Sequence, residues 1–125
     1  MTLTDGDVAA LARQAVDLLD PDIEIRIDPK DPVDPYRFGA QSWLIHTFGV
    51  DVYASAADSY AETLARIIDQ LSEYGSESER FWGRAIPPCP GHSHPARVTV
   101  EEPVVVLRCP DTGDVVARIR PEVPA

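Results

Sequence analysis

Lysine is nearly missing from this chain, with Lys30 alone against ten arginines, and 125 residues include two cysteines, three histidines and one methionine. Two cysteines are too few for the disulfide framework by which small secreted domains compensate for a thin core. No run approaches the roughly 18 apolar residues that would cross a bilayer. The first residues, MTLTDGDVAA, have neither the basic start nor the apolar stretch of a signal peptide, so a cytoplasmic protein is expected. There is also no His-Glu-x-x-His, no Gly-x-Ser-x-Gly elbow and no glycine-rich phosphate loop.

The charge is one-sided. Residues 1–79 carry sixteen acids and five bases, and residues 80–125 carry five acids and six bases, which leaves the whole at −10. Phosphate recognition needs a concentrated positive surface, so this balance argues against nucleic acid and favours a basic protein partner. Arg80, Arg84, Arg97, Arg108, Arg118 and Arg120 are expected to be ordinary solvated side chains rather than a patch.

What the chain does possess is concentrated between residues 89 and 109. CPGHSHPARVTVEEPVVVLRC holds both cysteines and two of the three histidines. Cys89-Pro90-Gly91-His92 sets a thiol and an imidazole three positions apart in a turn, a spacing that lets both side chains reach one ion. His94 lies two residues on, so in extended chain it points to the same side as His92. Cys109-Pro110-Asp111-Thr112-Gly113 reads as a second turn of similar build, with Thr112 where a zinc ribbon carries its second cysteine. His94 can fill that place. Cys89, His92, His94 and Cys109 then make a closed two-sulfur, two-nitrogen set suited to a structural Zn2+ ion. Asp111 is the alternative to one histidine. A disulfide, or two unpaired core thiols beside solvated histidines, are the readings without a metal.

Around that stretch the pattern is α+β: two helices on a small antiparallel sheet, then a zinc-ribbon-like module of three strands. The α/β body is expected over 1–83 and the module over 84–120, with a frayed tail at 121–125. Within the body, Thr4 and Asp7 form a capping box for a helix over 4–19, whose apolar face is Val8, Leu11, Ala12, Ala15, Leu18 and Leu19. Asp20-Pro21 stops it. Ile23, Ile25 and Ile27 alternate with polar residues as a strand over 23–28. The Asp-Pro repeats at 28–29, 31–32 and 34–35 predict a rigid loop; their spacing is not that of a calcium loop. Residues 42–53 read as a strand or a hairpin bent at Gly49, a helix closed by Gly49 being the other fit, and His46 is expected to be a core or edge residue.

A second helix over 56–74 is capped in this reading by Ser55 with Asp58. Its buried stripe is Ala57, Ala61, Leu64, Ile68 and Leu71, with Tyr60, Ile67 and Tyr74 on its flank. Gly75 ends it, unless it runs on to Gly83. Phe81 and Trp82 are expected to pack the small module against the helices, an exposed partner-binding patch being the alternative. Strands follow at Arg97–Glu101, Val104–Arg108 and Val115–Ile119. A sheet this small buries little, so a metal cross-link is a reasonable supplement.

The run Phe81-Trp82-Gly83, the element Pro88-Cys89-Pro90-Gly91-His92-Ser93-His94-Pro95 and the turn Cys109-Pro110-Asp111-Thr112-Gly113 resemble a group of small actinobacterial proteins with a Cys-Pro-x-His-x-His element. The resemblance covers about the last third of the chain. It implies a metal site and no particular activity. The zinc deaminases share only a Pro-Cys start, and their His-x-Glu element is missing here. The expected function is therefore a non-catalytic, zinc-stabilised protein-binding or adaptor module, with a metal-dependent hydrolase or thiol enzyme built on the same Cys/His site as the alternative.

Overall fold

The computed structural model describes residues 3–30, 41–82 and 84–124. Helix α1 (Asp5–Asp17) starts where the capping box places it: Thr4 Oγ1 accepts from the Asp7 amide and Asp7 Oδ2 from the Thr4 amide, both at 3.1 Å. Val8, Leu11, Ala12, Ala15 and Val16 are buried. The helix closes before Asp20-Pro21, so Leu18 and Leu19 pack against the core only partly, from beyond its end.

Strand β1 (Ile25–Lys30) begins two residues later than expected and continues through Pro29. It is an edge strand of the sheet β1-β2-β3, where a missing amide donor is tolerated. The first Asp-Pro pair is thus strand rather than loop; the other two lie outside the described residues. Strands β2 (Ser42–Thr47) and β3 (Val50–Ser55) form the hairpin. Its two-residue turn is Phe48-Gly49, both at positive φ (32° and 85°), the backbone that matches the twist of paired strands. Trp43, Ile45 and Thr47 are buried on one face of β2, while Leu44 and His46, on the other, are half-exposed.

Helix α2 (Tyr60–Gly75) starts later than the sequence reading has it. Ser55 is the last residue of β3, paired with Ser42, and cannot cap a helix at the same time. The cap is Ser59 with Glu62: Ser59 Oγ accepts from the Glu62 amide and Glu62 Oε1 from the Ser59 amide, each at 3.1 Å. Asp58 instead pairs with Arg66 at 2.8 Å, and Ala57 is exposed. Ile67, placed on the flank by the sequence, is fully buried along with Leu64. Gly75 is the last residue of the helix, and its neighbours leave no room for a side chain. A Cβ there would stand 2.7 Å from Ile86 Cδ1 and 3.1 Å from the Phe48 ring.

Strands β4 (Arg97–Glu101), β5 (Val104–Arg108) and β6 (Val115–Ile119) form a second antiparallel sheet in sequence order, over the ranges read from the sequence. The fold is α+β, with two helices and two three-stranded sheets. Helix α2 touches α1 and β3 and also β4 and β5, so buried residues from both sheets join one continuous core. Phe81 enters that core, its ring edge-on to Phe48 at 5.1 Å. Trp82 does not: 73% of it is exposed, so only one of the two aromatics packs as expected. At the start of the tail expected to fray, Gln14 of α1 donates to the Arg120 carbonyl at 2.8 Å and accepts from the Glu122 amide at 3.0 Å.

Candidate metal centre

Two turns converge at one end of the second sheet. In the first, the His92 amide donates to the Cys89 carbonyl at 3.0 Å, Gly91 takes φ +79°, and the Ala96 amide returns to the Pro87 carbonyl at 2.9 Å. In the second, the Gly113 amide donates to the Cys109 carbonyl and the Cys109 amide to the Asp114 carbonyl, both at 2.8 Å. Gly113 is at φ +77°. No side-chain crowding surrounds Gly91 or Gly113, so glycine serves there for its access to positive φ alone.

These turns bring Cys89, His92, His94 and Cys109 together, with one ligand atom of each within 4.8 Å of all the others. Nδ1 of His92 lies 3.3 Å from Cys89 Sγ and 3.4 Å from Cys109 Sγ. A tetrahedral ion with bonds of about 2.3 Å to sulfur and about 2.0 Å to nitrogen holds such atoms about 3.5 Å apart, so the observed spacing suits a shared ion. Both cysteines are buried free thiols, and no disulfide joins them. His94 Nε2 is buried without a hydrogen bond, although Asp111 Oδ2 stands 3.0 Å away. Four donors of these types at these separations are what a single cation needs. The set therefore fits a metal ion.

The sulfurs differ. Hydrogen bonds from the Thr112 hydroxyl and amide, joined by the Asp111 amide, lower the pKa of Cys109 from 9.0 to about 6. Burial raises that of Cys89, and the neighbouring sulfur and Asp111 add to the rise. The first proton to leave the pair thus comes from Cys109.

Thr112, which stands where a zinc ribbon carries its second cysteine, is a donor to the sulfur of Cys109 in its own turn. The Cys-Pro-x-Thr-Gly order carries that information, because a hydroxyl three residues past a turn cysteine is placed to bond it. Asp111 lies beside His94 rather than among the four. His46 is not part of the cluster. It sits on β2 between two carboxylates, Nδ1 2.5 Å from Asp51 Oδ1 and Nε2 3.8 Å from Asp28 Oδ2. Several arginines are already engaged: Arg80 pairs with Asp20, Arg108 with Glu101 at 2.7 Å, and Arg84 lies 5.4 Å over the Phe81 ring.

No protein-family model, curated protein or solved structure matches this chain. Among the described residues no helix is long and apolar enough to cross a membrane.

Proposed function

We propose that Cys89, His92, His94 and Cys109 hold one structural zinc ion and that the protein is a non-catalytic module that binds another protein, its C-terminal sheet being zinc-ribbon-like. The observation that carries this reading is the placing of both sulfurs 3.3 and 3.4 Å from one imidazole nitrogen, with a second imidazole at hand. Two thiolates and two imidazoles fill a tetrahedral ion and leave no position for the water that a hydrolytic site keeps open. Zinc accepts mixed sulfur and nitrogen ligands and has no redox chemistry to disturb the thiols. The acid excess of residues 1–79 makes a basic protein the expected partner.

Elemental analysis of the purified protein tests the metal. One zinc per chain is expected, lost to a strong chelator with a fall in Tm and absent from Cys109→Ala. X-ray absorption should give two sulfur and two nitrogen neighbours. A protein free of divalent metal ends the zinc reading, and three protein ligands plus a water turn it into the hydrolase.

A further inference from the structure

The loop after α2 passes beside the β2–β3 turn and leaves a groove of about 300 Å³ between them. Phe48 and Tyr74 give it aromatic surface, and Glu77 and Glu79 stand on its rim. Tyr74 is 47% exposed, one of few large apolar side chains so placed among the described residues. Both glutamates are exposed and neither forms an ion pair among the described residues. The nearest cations in sequence are spent elsewhere, Arg80 on Asp20 and Arg84 on the face of Phe81. The walls are fixed: Ser78 Oγ donates to the Gly75 carbonyl at 2.6 Å and accepts from the Phe81 amide at 3.3 Å, and Phe48 is wedged between Phe81 and Gly75.

We propose that this groove receives an arginine-bearing segment of a partner protein, one guanidinium lying on Tyr74 between Glu77 and Glu79. An aromatic face beside unneutralised carboxylates is the setting that favours a cation, and a planar guanidinium stacks where an ammonium only approaches. The same aromatic cluster already seats one guanidinium, that of Arg84 on Phe81. The proposal rests on the protein-binding reading above and is independent of the metal.

The test uses the full-length protein with its metal content measured alongside. The probe is a short peptide of alternating arginine and alanine, titrated by calorimetry and by amide chemical shifts. Its counterpart has citrulline, which keeps the shape and removes the charge, at every arginine. Shifts are expected at Phe48–Val50 and Tyr74–Glu79. Tyr74→Ala and the pair Glu77→Gln, Glu79→Gln should each weaken binding at least tenfold, as should citrulline. A control pair on other surfaces, Asp22→Asn with Asp114→Asn, should change it less than twofold. Equal weakening by the control pair would reduce the effect to net charge and overturn the groove. Binding with shifts elsewhere would overturn it while sparing the protein-binding reading, and no binding by the arginine peptide would overturn it outright.

Discussion

Each of the two sheets has three antiparallel strands, yet they are held by different means. In the first, β2 buries Trp43 and Ile45 and β3 buries Val52 and Ala54 under α1 and α2. In the second, only β5 is strongly buried, through Val105, Val106 and Leu107, while β4 and β6 are half-exposed or exposed along their length. Its ends meet at two thiols and two imidazoles. One sheet rests on apolar area; the other has a single buried strand, one flank of α2 and, in the reading proposed above, the ion its two turns would hold. The lesson is that strand number says little about what secures a sheet.

Removing the proposed ion should break this contrast most visibly. Chelation is expected to raise amide exchange in β4–β6 at least tenfold and to leave β1–β3 near their starting protection, measured by hydrogen exchange. In the metal-free protein acid should act in the same direction: the stability contributed by the Cys109 thiolate is present above its ordinary pKa of 9.0 and is lost as pH falls through about 6. Uniform loss of protection would mean that the two sheets stand or fall together.

Trp43→Ala attacks the other side of the comparison. The side chain is 1% exposed and its Nε1 donates to Asp5 Oδ1 at 2.7 Å, so the change opens a cavity and strands a carboxylate partner. A loss of about 3–5 kcal/mol in denaturant unfolding is expected, with zinc content unchanged in the protein that remains folded. A cost below about 1 kcal/mol would refute the apolar account of the first sheet.

Gly75→Ala probes the seam. The added methyl meets Ile86, on the approach to Cys89, and Phe48, in the hairpin turn. The crowding is expected to outweigh the gain in helix propensity and to cost about 1 kcal/mol net, seen as a lowered Tm. A rise in Tm would show that both neighbours yield freely.

Much of this was legible in the chain. The Thr4 box, the alternation through β2 and all three strands of the second sheet follow from spacing, and the Cys/His stretch points to the four side chains that come together. The second helix cap was misplaced because Ser55-Asp58 and Ser59-Glu62 offer the same local signal. Only strand pairing, which claims Ser55 for β3, decides between them. Phe81 and Trp82 are adjacent aromatics that periodicity cannot tell apart. Their fates follow from where the Phe48 turn lies in space.

By itself, then, the sequence determined the elements and the chemistry of the donors, because hydrophobic period, capping and side-chain type are local properties. Tertiary structure alone decided that Ser55 belongs to β3 rather than to a helix cap, that Phe81 and not Trp82 enters the core, and that α2 joins both sheets in one core. Those outcomes depend on strand register and packing, which no short window of residues contains.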